Sequence, residues 1–255
     1  MAAVAFSAEG AVGTITLDHP PANSYDIQFM LDLADTIGEA SSHDAVRVVV
    51  VRSASERFFS AGADVKRFLA NDVHANMEMI ALAHDALASI ARSPKLFVAW
   101  IAGHALGGGL EIALACDLRY AAEGSYRLGT PEVTLGLLPG NGGTQRLPRI
   151  IGRGPALDLL LTGRQLGPEE AHRLGIVSGL FADEETFRAH VEKLAAGPPL
   201  AVANIKRAVY QGLDVTLEEG LELERRLIEQ LFRSHDAREG LEAFSEKRTP
   251  TFTGG

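Results

Sequence analysis

Two apolar runs constrain this chain most: Val46-Arg-Val-Val-Val-Val51 and Leu96-Phe-Val-Ala-Trp-Ile101. Both read as strands buried on two faces, which is the signature of a sheet covered by helices. Between them the pattern predicts a long helix from Val73 to Ala91, ended by Pro94. Strand alternating with helix favours an α/β core. Upstream, Val4–Ser7 and Val12–Leu17 flank Ala8-Glu-Gly10 as a hairpin. Asp26 caps a helix running to about Ala40, with Ile27, Met30, Leu31, Ala34 and Ile37 at helical spacing. Leu118–Ala121 is a further strand. From Thr144 onward the chain reads as helices, apart from a short strand at Ile176–Phe181. Gly197-Pro-Pro199 marks a hinge, so the expected organisation is an α/β core over 1–196 and a helical region over 197–255. The last three helices are expected near Leu200–Gln211, Leu217–Phe232 and Asp236–Lys247.

Charge and composition exclude several classes. The 255 residues carry 24 Lys plus Arg against 33 Asp plus Glu, a net charge of −9. An acidic surface argues against nucleic acid as the main partner, although a local basic cluster can still hold phosphates. The single cysteine, Cys116, lies in the apolar run Ile112-Ala-Leu-Ala-Cys116 and reads as a small core residue. One cysteine makes no internal disulfide and no cysteine zinc cluster. The N-terminus lacks the basic start and apolar stretch of a signal peptide, and no segment approaches the ~20 apolar residues of a membrane span. The cytoplasm is the expected location.

Gly107-Gly-Gly-Leu-Glu111 is the most informative short segment. Glycines at a helix start let backbone approach a ligand, and the first helical amides lack internal partners and attract negative charge. Gly108 and Glu111 are three residues apart and share a face; the glutamate leans back toward the helix N-terminus. A backbone donor and a carboxylate are thereby aimed at one small volume. Glu111 is the only charge between Ala105 and Ala115, where an unpaired ion costs several kcal/mol. The plain alternative is a helix with one solvated face.

Two further segments gain meaning beside it. Phe59-Ser-Ala-Gly-Ala-Asp64 follows a buried strand with small residues that suit close approach to a ligand; taken alone it is a strand-to-helix turn capped by Asp64. Gly129-Thr-Pro-Glu132 places an acid beyond a strand end, and Asn141-Gly142-Gly143 offers amides ahead of a helix. Alone, Glu132 is a first-turn acid at a helix dipole. No Walker loop, Gly-x-Gly-x-x-Gly fingerprint or Gly-x-Ser-x-Gly elbow occurs. The eight histidines show no ligand spacing, His104 reads as a polar rim residue, and no metal is implied.

The ordered set of these segments resembles the crotonase, or enoyl-CoA hydratase/isomerase, superfamily. The resemblance runs from His19-Pro-Pro-Ala-Asn23 through Ser60-Ala-Gly-Ala-Asp64, Gly103–Glu111, Cys116-Asp117, Pro131-Glu132 and Pro139–Leu147 to Leu161-Thr-Gly163 and Glu246-Lys-Arg248. It implies a spiral of ββα turns with a helical C-terminal trimerisation region, a homo-oligomer that is a trimer or a dimer of trimers, and an acyl-CoA ligand. By position it implies an oxyanion hole from the amides of Ala61 and Gly108, a substrate-binding segment of Ala61, Gly62, Ala63, Asp64 and Gly108, and Glu111 and Glu132 as catalytic glutamates. The implied reaction is addition of water to a 2-enoyl-CoA, with Glu111 activating water and Glu132 delivering the α-proton. No cofactor beyond the coenzyme A of the substrate is implied. Lys66, Arg67, Lys247 and Arg248 are candidates for its phosphates, the last two serving a neighbouring subunit. Alternatives within the resemblance are a Δ3,Δ2-enoyl-CoA isomerase or another acyl-CoA activity of the superfamily, and a noncatalytic acyl-CoA- or RNA-binding member. Ser24-Tyr25 departs from the small or aliphatic residues usual after Asn23, and Ala121–Leu128 is one residue longer than is typical.

Overall fold

The computed structural model describes residues 2–255; Met1, part of the N-terminal segment considered above, lies outside them. The chain runs β1 (Val4–Glu9), β2 (Val12–Leu17), α1 (Ile27–Ser42), β3 (Val48–Ser53), β4 (Phe58–Ser60), α2 (Val65–Ala70), α3 (Val73–Arg92), β5 (Leu96–Ile101), β6 (His104–Leu106), α4 (Gly108–Ala115), β7 (Leu118–Ala122) and β8 (Leu128–Gly129). A 3-10 turn at Pro131–Leu135 leads into α5 (Gly143–Ile151), α6 (Arg153–Thr162), α7 (Pro168–Arg173), β9 (Gly179–Phe181), α8 (Glu184–Ala195), α9 (Pro199–Gly212), α10 (Leu217–Phe232) and α11 (His235–Glu246).

From β3 onward, consecutive strands alternate between two sheets. β3, β5 and β7 belong to a six-stranded sheet of order β1-β2-β3-β5-β7-β9, whereas β4, β6 and β8 form a second sheet of three. Each strand pair is one turn of a spiral, and a helical segment leads to the next. Apart from the β1–β2 hairpin, every pairing of named strands is parallel. This is the expected ββα spiral.

The two apolar runs are buried on both faces, as their composition predicts. Val49 and Val51 of β3, with Phe97, Ala99 and Ile101 of β5, face the main core. Val48 and Val50, with Val98 and Trp100, face a second cluster under α8, where the Trp100 and Phe187 rings stack with centroids 4.2 Å apart. Alternate residues serve opposite faces because a strand has a period of two.

Asp26 caps α1 by accepting from the Phe29 amide. The buried stripe of that helix is Phe29, Met30, Leu33, Thr36, Ile37 and Ala40, rotated from the expected one: Ile27 and Leu31 are exposed. Both stripes have helical spacing, and the larger side chains take the core because each buried Phe, Met, Leu or Ile is worth roughly 1.5–3 kcal/mol. The helices α9, α10 and α11 fall within a few residues of expectation, while the short strand at Ile176–Phe181 contracts to Gly179–Phe181. The three short strands of the second sheet carry too few residues to show a period and were not expected, whereas α2 begins at Asp64, where the strand-to-helix turn places a cap.

α9 is tied to the α/β body by a buried ion pair. Lys206 Nζ donates to Asp117 Oδ2 at 2.8 Å and to the carbonyls of Ile90 at 2.7 Å and Lys95 at 2.8 Å. Asp117 also accepts from the Phe97 amide and the Tyr210 hydroxyl.

Candidate active site

The small sheet brings the three candidate segments together. Its strands are all parallel, so the chain leaves each at the same edge. β4 ends into Ala61–Asp64, β6 into Gly107–Glu111, and β8 into Thr130-Pro131-Glu132. Ligands of parallel sheets sit at this carboxyl edge. Residues 123–127 connect β7 to β8. Tyr126 anchors that connection with its hydroxyl against the carbonyls of Ile101 and Ala122. Leu106 pairs with Gly129, and Glu132 lies beside the site.

Gly107 begins α4 at φ +54° and donates its amide to Gly129 O at 2.8 Å. All eight residues of α4 are buried, Glu111 included at 1% exposure, so the solvated-face alternative does not hold. Glu111 Oε1 accepts from the Asn141 amide at 2.8 Å and the Gly143 amide at 2.6 Å. The amides that the Asn141-Gly142-Gly143 turn offers are therefore spent on the glutamate. Burial pushes the Glu111 carboxyl up to about 7; the Gly143 amide pulls it back, neighbouring Glu132 raises it, and the Asn141 amide and Arg146 lower it. Arg146 braces the same turn by donating to Asn141 O at 2.8 Å.

Glu132 sits in the 3-10 turn with a different environment. Its Oε1 lies over Gly107, where a methyl group would meet it at 2.9 Å. Its Oε2 is buried with no hydrogen-bond partner among the described residues. Burial raises this carboxyl too, and its own amide lowers it. One acid is held by two donors, while the other presents a bare oxygen.

The expected oxyanion pair needs one correction. The Ala61 amide donates to Ala22 O at 2.9 Å, the Gly62 amide to Ser60 Oγ at 3.1 Å, and the Asp64 amide to Tyr25 O at 3.0 Å. Of the four, the Ala63 amide alone has no acceptor among the described residues. Gly62, at φ +89°, turns the chain between Ala61 and Ala63, and its Cα abuts Gly108: a methyl there would come within 3.1 Å of Gly108 N. The Gly108 amide, in the first turn of α4, is likewise without an acceptor among the described residues. Ala63 and Gly108, not Ala61 and Gly108, supply the free pair. The sequence could not separate Ala61 from Ala63, because the turn at Gly62 decides which amide faces inward.

Two polar residues at the site were not assigned from sequence. Tyr25 is 4% exposed and reaches across Gly108 to Asn141, whose Nδ2 donates to the Tyr25 hydroxyl at 2.6 Å. The Asp64 side chain caps α2 through the Lys66 amide at 3.0 Å, the plainer of its two readings. Lys66 and Arg67 are exposed on α2, as is Lys247 after α11. Arg248 is not a free cation: it is paired with Glu239 and Glu246. Among the described residues, no cluster of three His, Cys, Asp or Glu is placed to hold a metal ion.

Two buried carboxyl groups beside free main-chain amides, at the edge of a ββα spiral, define a class of protein able to hold an anionic oxygen while moving protons beside it. Comparison with known proteins gives the class its name. The Enoyl-CoA hydratase/isomerase family profile matches residues 7–255, and the chain belongs to that family. It is 37% identical to a probable enoyl-CoA hydratase of Bacillus subtilis and 34% identical to the 2,3-dehydroadipyl-CoA hydratase of Escherichia coli, each alignment covering 100% of both chains. Crystal structures of enoyl-CoA hydratases from Geobacillus kaustophilus and Bacillus anthracis superpose with TM-scores of 0.97 and 0.94. Their identities are 39% and 36%, and they cover 100% and 99% of this chain and 98% and 100% of theirs.

Proposed function

We propose that this chain is an enoyl-CoA hydratase that adds water across the 2,3 double bond of a 2-enoyl-CoA thioester. Adding water to a carbon–carbon double bond makes it a hydro-lyase, and relatives matched over nearly their whole length are named probable enoyl-CoA hydratases. The thioester oxygen sits between the amides of Ala63 and Gly108, where charge building on it as the enolate forms meets two donors. Each such donor is worth roughly 3 kcal/mol in the transition state. Glu111 takes a proton from water, the water oxygen bonds to the β-carbon, and the π electrons move to the carbonyl oxygen. Glu132 then gives its proton to the α-carbon. Water, thioester and two carboxylates account for every proton and electron in this step.

The difference between the two acids carries the assignment. Two amide donors favour the ionised form of Glu111, which suits a base. A buried oxygen without a donor favours the protonated form of Glu132, which suits an acid. Gly62, Ala63 and the α2 cations Lys66 and Arg67 are the proposed path for the coenzyme A portion. Assembly through the helical region is supported by exposed apolar side chains there, among them Leu213, Leu217, Phe232 and Phe244; a trimer, or a dimer of trimers, would cover them. Among the described residues no helix is long and apolar enough to cross a membrane.

The test is loss of the conjugated-enone absorbance of crotonyl-CoA. Wild type bleaches the band, and Glu111→Gln and Glu132→Gln each slow it by roughly 10²–10⁴-fold. Unchanged rates in the folded variants would refute the assignment.

A further inference from the structure

Tyr25 has no role in the reaction as derived, yet its hydroxyl lies among the groups that do. Its backbone is stitched to the loop presenting Ala63: Tyr25 N donates to Gly62 O at 3.0 Å and Asp64 N donates to Tyr25 O at 3.0 Å. Its ring covers Gly108 so closely that a methyl group on that glycine would overlap the hydroxyl. The hydroxyl accepts from Asn141 Nδ2, and the Asn141 amide in turn holds Glu111. One side chain thus spans the oxyanion loop, the helix start and the anchor of the base.

A phenol has one proton to give. Asn141 already acts as the donor in its bond to Tyr25, so the Tyr25 proton points elsewhere. No described residue accepts it. The Gly108 amide beside it is itself a donor. Burial, then the charges of Glu111 and Glu132, push the phenol well above its ordinary range, while Asn141 lowers it; the proton stays on. Two acceptors of the hydration reading remain within the site: the thioester oxygen, which the Ala63 and Gly108 amides already hold, and the water between the two glutamates, which has no donor of its own.

We propose that Tyr25 is a positioning residue for hydration, donating to the oxygen of the attacking water and aiming its free lone pair at the β-carbon. This rests on the hydratase reading. A water whose two O–H groups hydrogen-bond to carboxyl oxygens of Glu111 and Glu132, and which accepts one hydrogen bond from Tyr25, keeps one lone pair for carbon, so the phenol fixes orientation without entering the proton balance.

The test separates water addition from enolate formation. Tyr25→Phe keeps the ring and removes the hydroxyl. The expected result is a fall in crotonyl-CoA kcat of about 10- to 100-fold, the worth of a hydrogen bond to a charge-bearing partner, with KM within about twofold. Exchange of the α-protons of butyryl-CoA with D2O, followed by NMR, needs the oxyanion donors and Glu132 but no water addition, and stays within about twofold of wild type. Asn141→Ala frees the hydroxyl and produces a smaller loss of the same kind, and the double variant is no worse than Tyr25→Phe alone. The proposal is overturned if Tyr25→Phe hydrates at the wild-type rate, if hydration and exchange fall together, or if the two losses multiply. Wild type that fails to hydrate at all would instead sink the hydratase reading.

Discussion

The main-chain amide of Gly143 donates to Glu111 Oε1 at 2.6 Å, joining groups 32 residues apart in the chain. A carboxylate buried to 1% exposure would otherwise be held protonated across the neutral range. This bond and its companion from Asn141 oppose the desolvation that pushes Glu111 up to about 7, and they leave it able to ionise where an enzyme works.

The pH dependence of kcat/KM follows with a definite sign. A base must be deprotonated, so activity rises as pH rises through about 7 and is lost below it, tenfold per pH unit on the limb. Arg146 lowers the same group, so Arg146→Met moves the limb to higher pH. A pH series on wild type and Arg146→Met checks both; a limb that Arg146→Met leaves in place would show that the titrating base is not Glu111.

The same carboxyl is a stability liability. Its folded value lies above its unfolded value of 4.5, so the fold binds this proton more tightly than the unfolded chain does. That contribution is favourable below about 4.5 and is progressively lost between there and 7, leaving the group a net cost at higher pH. Glu111→Gln removes the charge and keeps an acceptor for the two amides. The variant is expected to hydrate roughly 10²–10⁴-fold more slowly yet to be more stable than wild type at pH 8 by about 3 kcal/mol, with the difference shrinking toward pH 5. Denaturant melts of both proteins at the two pH values provide the check.

Gly62 and Gly10 both have positive φ, at +89° and +58°, but their surroundings differ. A methyl at Gly62 would meet Leu106 O at 2.8 Å and Gly108 N at 3.1 Å, whereas at Gly10 nothing lies within 4 Å. Gly62→Ala therefore displaces one free amide against the other, and kcat should fall about 10²-fold, the cost of one misplaced donor. Gly10→Ala strains only a hairpin turn and should cost roughly 1 kcal/mol of stability with kcat unchanged. Equal kcat in the two variants would remove Gly62 from the oxyanion site.

The parts of the fold legible in sequence are those with enough residues to show a period. β5 begins and ends where its apolar run does, and α10 matches its predicted limits. β4, β6 and β8 have three, three and two residues, too few for alternation to register, so the second sheet was invisible although it gathers the site. Glu111 was legible because a lone charge in an apolar helix demands a partner. Ala63 was not, because amide direction depends on the turn at Gly62, and the Tyr25–Asn141 bond was not, because it joins residues 116 apart in the chain.

Lys206 offers a prediction about the frame behind the site. Its side chain is 5% exposed against 8% for that of Asp117, and Asp117 lies just beyond α4, the helix that carries Glu111. Removing one member of such a pair strands the other charge without its counterion, which costs about 3–5 kcal/mol. Lys206→Met should lower the melting temperature by on the order of 10 °C. Adding Asp117→Asn removes the stranded charge while its amide oxygen can still accept from the Phe97 amide, so the double variant should recover part of the loss. If Lys206→Met melts with wild type, α9 is held by its apolar contacts alone and the ion pair does not bind the C-terminal helices to the catalytic spiral.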